Sequence, residues 1–203
     1  MTIIESTQRL RELIGTPNEI VHLKIHSQLN ETARDFIARS PMAFVATCGS
    51  NGMPQVSPKG DGPGFAQVED DSTLIIPERK GNKLAFTLEN ILANPKVGLI
   101  FLVPGTCETL RVEGRAALDD DPALCHKLSA RGSAALLVTR VKIDAVYFHC
   151  AKAFLRAELW KPGTWLEKIN VSFGREIAQH GGLEERKVEE FDAGVHSRYQ
   201  TDL

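Results

Sequence analysis

Arg79, Lys80 and Lys83 fall within five residues of one another in the segment Pro77-Glu78-Arg79-Lys80-Gly81-Asn82-Lys83, which joins a run of strand-forming residues to a helical pattern. A strand-to-helix junction offers free backbone N–H groups and the positive end of the helix dipole, and cations there add charge-assisted hydrogen bonds. Binding of a phosphate monoester is the chemistry this suits. Without a bound dianion the placement is unfavourable, by roughly a few tenths of a kcal/mol per cation, because cations belong at a helix C-terminus. A solvated basic loop is the other reading of the same residues.

Other chemistries lack their residues. The segment is not G-x-x-x-x-G-K-[ST], since Leu84 follows Lys83, so nucleoside triphosphate hydrolysis has no support. Gly60, Gly62 and Gly64 do not match G-x-G-x-x-G and lead into a strand, which excludes a dinucleotide fingerprint. Ser57, in Val56-Ser57-Pro58-Lys59, lacks the strand-to-helix elbow of a nucleophilic serine. His22 and His26 would share one face of a helix, but no third ligand accompanies them, so no metal site is expected. Cys48, Cys107, Cys125 and Cys150 form no C-x-x-C pair and read as reduced thiols of a cytoplasmic protein. A net charge of -2 gives no field that would draw the chain to nucleic acid or anionic lipid. No apolar run approaches the roughly 18 residues of a membrane span, and no signal-peptide pattern opens the chain. Neither nucleic acid nor membrane is an expected partner.

The elements that must hold the basic segment follow from periodicity. Helices are expected over residues 5–14 and 31–39, the second with Ala33, Phe36 and Ile37 on one side and Pro41 closing it. Strands are expected over 42–48 and 54–59, joined by Gly49-Ser50-Asn51-Gly52, whose Asn-Gly step favours a tight hairpin. After the glycine loop a third strand covers 73–77. Asn82 then caps a helix with Leu84, Ala85, Leu88, Ile91 and Leu92 at helical spacing, ended by Asn94-Pro95. Residues 97–103 are apolar almost throughout and should lie deep in a sheet. From 109 to 118, Leu110, Val112, Gly114, Ala116 and Leu118 point one way and Thr109, Arg111, Glu113 and Arg115 the other. That charged face suits solvent or a subunit interface. A short helix from Asp119-Asp120-Asp121-Pro122 to about residue 130, a last strand over 136–148, a helix over 151–160 and a polar stretch beyond Trp165 complete the chain.

Taken together, the pieces from residue 42 to 115, and more loosely to 160, resemble the pyridoxamine 5′-phosphate oxidase-like family of FMN-binding split barrels. They are Val56-Ser57-Pro58-Lys59-Gly60 with Gly64-Phe65, Leu74-Ile75-Ile76-Pro77 running into Glu78-Arg79-Lys80-Gly81-Asn82-Lys83-Leu84, and Asn94-Pro95-Lys96-Val97. Leu110-Arg111-Val112-Glu113-Gly114-Arg115 and Tyr147-Phe148-His149-Cys150-Ala151-Lys152-Ala153 continue the match. No piece is specific alone; their order and spacing are.

The resemblance implies a mainly β protein with peripheral helices (α+β), a six-stranded antiparallel split barrel, and a homodimer with FMN at its interface. Residues 41–165 would form the barrel, 1–40 an N-terminal helical extension, and 166–203 a polar extension packed on or near the barrel. Arg79 and Lys80 fall where the family holds the FMN phosphate, with Asn82 and Lys83 beside them. Val56, Ser57, Pro58 and Lys59 fall on the strand that lines the flavin, and Ile76 and Pro77 on the strand end that touches it. A family glutamine falls near Thr109, with Arg111 on the same face as a substitute. His149, Cys150 and Lys152 would line the cofactor region or the interface, or simply pack. The Trp-x-Arg segment by which the true oxidases grip their substrate is missing, and Trp160-Lys161-Pro162 does not match it, so vitamin B6 oxidation is not expected. The implied function is an FMN-dependent oxidoreductase acting on a small organic substrate, with NAD(P)H a candidate donor and Lys59 the nearest group to polarise flavin or substrate. A flavin- or haem-binding module without turnover and a deazaflavin-dependent reductase are the alternatives.

Overall fold

The structure, a computed structural model, describes residues 3–202. Seven strands form one antiparallel sheet: β1 (Met42–Cys48), β2 (Pro54–Gly60), β3 (Gln67–Asp70), β4 (Thr73–Glu78), β5 (Lys96–Leu102), β6 (Thr109–Asp119) and β7 (Leu137–His149). They lie in the order β2-β1-β5-β6-β7-β4-β3. All six strands expected from the sequence have ends within one residue of their predicted places, and Gly52, at φ 76°, makes the β1–β2 turn. The six-strand expectation is one short. The extra strand is β3, whose Gln67-Val68-Glu69-Asp70 is too polar and brief to register as a strand, and it is held by pairing with β4.

Alternation decides which face packs. In β1 and β5 one face is buried, through Ala43 and Val45 and through Val97, Leu99 and Phe101, while Phe44, Ala46 and Ile100 on the other are only half-buried. The apolar run of β5 is therefore not covered on both sides, although the strand lies inside the sheet. The inner face joins Leu74, Ile76, Leu110, Val112, Val141 and Val146 in one core, closed by Ala33 and Ile37 of helix α2 (Glu31–Arg39). Where β6 meets β7 the register shifts between Glu113 and Gly114, so that Asp144 bulges out of the ladder.

Helix α1 (Thr7–Ile14) buries nothing, and a short 3-10 turn at Glu19–Lys24 leaves His26 outside any helix, in a backbone bridge to Val146. The two histidines thus do not share a helix face. Helix α3 (Phe86–Ala93) starts later than expected, α4 (Pro122–Lys127) and α5 (Lys152–Arg156) end sooner. Residues after Trp165, read from sequence as a polar stretch, contain α6 (Phe173–Gln179) and α7 (Val188–Thr201). These two pack on each other, with the Gly174 N–H donating to Asp192 Oδ1 at 2.8 Å and Val188 buried.

Candidate functional site

β2, one edge of the sheet, and β4, next to the other edge strand β3, come together without sharing backbone pairs, and side chains span the gap. Lys59 Nζ of β2 donates to Glu78 Oε2 of β4 at 2.5 Å, and Thr139 Oγ1 of β7 donates to Glu78 Oε1 at 2.9 Å. Beside them Arg79 Nε donates to Asp61 Oδ2 at 3.0 Å. A cleft of about 790 Å³ opens along this split. Ser57, Pro58, Lys59, Pro77, Arg79, Lys80, Asn82 and Lys83 all line it, so tertiary folding brings the hairpin strand and the basic segment together.

The local backbone differs from the sequence expectation at one point. Asn82 does not cap α3. Its side-chain oxygen accepts from the Leu84 N–H at 3.1 Å in a turn, Lys83 and Ala85 take left-handed conformations with φ of 64° and 52°, and the helix begins at Phe86 after Ala85 with no side-chain cap. Leu84 and Ala85 therefore lie outside the helix, and Lys83 outside its first turn. The dipole penalty inferred for three cations does not apply, because the dipole acts only within about one turn of the helix end. The apolar spacing continued upstream of the true start, and nothing local marked where the turn would intervene.

Charge in the cleft is unbalanced. Lys59, Arg79, Lys80, Lys83 and Arg131 line it against Asp61, Glu78 and Asp202. Arg79 Nη1 is buried and has no hydrogen-bond partner, while its Nε is spent on Asp61. A buried donor left unpaired costs about 1–3 kcal/mol, more when charged, so this nitrogen fits an anionic ligand oxygen. The residues present thus suit a phosphate.

Helix α3 fixes the cleft floor. Thr87 Oγ1 donates to Ser57 Oγ at 2.7 Å, and Asn90 Nδ2 donates to Thr47 Oγ1 at 3.0 Å and Gln55 Oε1 at 2.8 Å. Thr87 is buried, so Thr87→Val removes an internal hydrogen bond at nearly constant volume. The expected loss is about 0.5–1.5 kcal/mol of stability. Urea denaturation reads it, and an unchanged midpoint would mean that Ser57 finds another partner.

The remaining predicted residues lie elsewhere. Ile76 is buried in the core, 1% exposed, with its side chain away from the cleft. Val56 is 62% exposed on the outer face. Arg111 and Thr109 belong to that outer face too, in a row that runs Pro58, Phe44, Ile100, Arg111, Tyr147 across five strands. Three strand spacings separate Pro58 from Arg111, roughly 14 Å. One chain therefore does not gather all of the predicted site. Around Arg111 a second cationic cluster forms. Arg111 Nε is buried without a partner, Tyr147 Oη donates to Glu113 Oε1 at 2.9 Å, and Lys24 Nζ lies 6.0 Å from the Tyr147 ring centre. Burial, with Arg111 and Lys24 adding, holds the His149 pKa below its ordinary value; burial and the Glu113 carboxylate push the Tyr147 hydroxyl up.

Asp61, Glu78, Thr87, Arg131 and Ser133 were missed from sequence. Asp61 and Glu78 could have been found by asking which carboxylates neutralise Lys59 and Arg79; Arg131 and Ser133 carried no signal, being about fifty residues downstream in a turn. Among the described residues no group of three or more metal-ligating side chains occurs, and no helix is long and apolar enough to cross a membrane.

Comparison with known proteins agrees with this architecture. HupZ of Group A Streptococcus aligns at 22% identity and a TM-score of 0.50, over 59% of this chain and 93% of its own. A candidate pyridoxamine 5′-phosphate oxidase from Lactobacillus delbrueckii aligns at 27% identity and a TM-score of 0.47, over 60% and 95% of the two chains. No curated protein matches. The family profile described as pyridoxamine 5′-phosphate oxidase matches residues 29–150, which takes in the sheet, α2 to α4 and every cleft residue except Thr201 and Asp202. By the fold and by that match, the chain belongs to the pyridoxamine 5′-phosphate oxidase family and has its antiparallel split-barrel architecture.

Proposed function

We propose that the chain is an FMN-dependent oxidoreductase acting on a small organic substrate, with the cofactor phosphate held by Arg79 and Lys80. The observation that carries this reading is the buried, unpartnered Nη1 of Arg79 in a cleft where cations outnumber carboxylates. FMN ends in a phosphate monoester, and Arg79 Nη1 with the Lys80 and Lys83 ammonium groups would hold it through charge-assisted hydrogen bonds. Ser57, oriented by Thr87, and Pro58 would line the cofactor, and Pro77 would bound the strand side. A bound flavin supplies the redox chemistry. The chain's own residues bind and orient it; with Lys59 paired to Glu78, the lysine serves first to close the split and to neutralise a buried carboxylate.

The division of the predicted residues between the cleft and the outer face favours a site completed by a second copy. A homodimer packed through the half-buried Phe44, Ala46 and Ile100 would cover that face and bring Arg111 of one protomer toward the other. Sedimentation at micromolar concentration is expected to give a single dimeric species, and a monomer that still holds flavin tightly would refute the shared site.

The absorption spectrum of the purified protein tests the cofactor directly. Flavin bands, with FMN bound at least about tenfold more tightly than riboflavin by the apo-protein, are the expected result, since one charged hydrogen bond contributes about 1.5–3 kcal/mol. Equal affinity for riboflavin would show that the phosphate site is misassigned. A haem band or a preference for a deazaflavin would replace the reading with one of its rivals. NAD(P)H is the proposed electron donor, tested by bleaching of the flavin bands under anaerobic conditions.

A further inference from the structure

Residues 3–28 contain no buried or half-buried side chain. They nevertheless carry Leu10, Leu13, Ile14, Ile20 and Leu23 at 40–73% exposure. Leu10, Leu13 and Ile14 recur at helical spacing on α1 and make one apolar stripe. A helix of only 8 residues is marginal in water, and most helical stability comes from packing such a stripe. The barrel of the same chain does not receive it. The root of the arm is anchored, because His26 and Val146 exchange backbone hydrogen bonds at 3.0 and 2.7 Å on the free edge of β7.

A second open tract lies at the other end. Residues 161–171 are exposed throughout, with Trp165 at 60%, Leu166 at 94%, Ile169 at 81% and Val171 at 58%. Both tracts lie outside residues 29–150, so neither belongs to the part shared with the family. Covering the large apolar side chains of both would take roughly 800–1,000 Å² per copy out of water, about the area per partner of a standard specific interface. Two unpartnered apolar tracts in one chain, each packed on the other tract of a second copy, are covered together by a single two-fold axis.

We propose that residues 3–28 form an arm that docks on residues 161–171 of a second copy of this chain, in a reciprocal exchange. The inference rests on the reading that the chain pairs with itself, and it adds which segments clasp the pair.

Amine cross-linking of the full chain tests it. Lys24 is the only lysine of the arm, and Lys161 and Lys168 lie in the receiving tract. A Lys24 cross-link to Lys161 or Lys168 is expected in the covalent dimer band of a denaturing gel and not in the monomer band. Its recovery from the monomer band, where the arm would have folded onto its own tract, or its absence from both bands, overturns the exchange. Leu10→Glu, Leu13→Glu and Ile14→Glu introduced together should raise the dimer dissociation constant at least about 100-fold, with the near-ultraviolet circular dichroism of the folded barrel unchanged, because α1 buries no residue within its own chain. A dissociation constant that does not move overturns the arm and leaves the dimer reading standing. A wild-type protein that is monomeric at micromolar concentration overturns both.

Discussion

Arg79→Ala is expected to weaken FMN binding by about 1.5–3 kcal/mol, the worth of a charged hydrogen bond, and to leave riboflavin affinity nearly unchanged. Arg79 Nη1 is the buried donor with nothing to bind in the free protein, while Nε is held by Asp61, which is 14% exposed. That ion pair pre-sets the guanidinium, so little rotamer entropy is lost when a phosphate arrives. Arg79→Lys should recover part of the affinity, since it restores the charge but not the planar fork that can bind Asp61 and ligand at once. Lys80→Ala should act in the same direction and less strongly. Arg115→Ala is the control: its side chain is 62% exposed and pairs loosely with Asp144 at 3.7 Å, away from the cleft. Isothermal titration of FMN and riboflavin into each apo-protein reads all four. Unchanged FMN affinity in Arg79→Ala, with binding abolished in Arg115→Ala, would move the phosphate to the other end of the sheet.

Gly114→Ala should destabilise the fold by about 3 kcal/mol or more, the upper range for overpacking a close contact. A Cβ at this position would stand 2.2 Å from the Lys142 carbonyl oxygen, 3.1 Å from its carbon and 3.2 Å from Val141 Cγ1. Two of these neighbours are backbone atoms on β7, beside the bulge at Asp144, and they can retreat only if the β6–β7 ladder opens. Urea denaturation should show the midpoint falling with little change in slope. Although β6 also carries Thr109 and Arg111, Gly114 does not line the cleft, so flavin binding at saturating cofactor should survive wherever the variant remains folded. A loss below about 1 kcal/mol would mean that the bulge relaxes to admit a methyl group.

Much of the barrel was legible because its signals are local. Period-two alternation set the faces of β6 and an Asn-Gly step set the first hairpin, whereas the nearly continuous apolar run of β5 did not show that only one of its faces would pack. The start of α3 was not legible. Apolar spacing at Leu84 and Ala85 continued the helical pattern upstream, whereas the left-handed residues Lys83 and Ala85, on either side of Leu84, break it where the segment lines the cleft. β3 was missed for the opposite reason. Its four residues have weak strand character of their own and gain order from hydrogen bonds to β4, so pairing rather than propensity makes the strand. The helices α6 and α7 escaped notice since their stabilising contact, Gly174 against Val188 and Asp192, joins residues far apart in the chain.

The candidate site divides along the same line. Residue types and order along the chain were enough to pick out Arg79, Lys80 and Lys83 as a group suited to a phosphate, because charge is a property of a short segment, whereas Ser57 and Lys59 were reached only through the family resemblance, as residues lining the flavin. Which of them are free to bind was decided only by the tertiary fold. Closing the split spends Lys59 on Glu78 and one nitrogen of Arg79 on Asp61, and leaves the other nitrogen buried and unpaired. The same curl of the sheet turns Ile76 into the core and puts Arg111 on the outer face. Partner choice for a charged side chain depends on distances between strands that are remote in sequence, and those exist only once the sheet has rolled up.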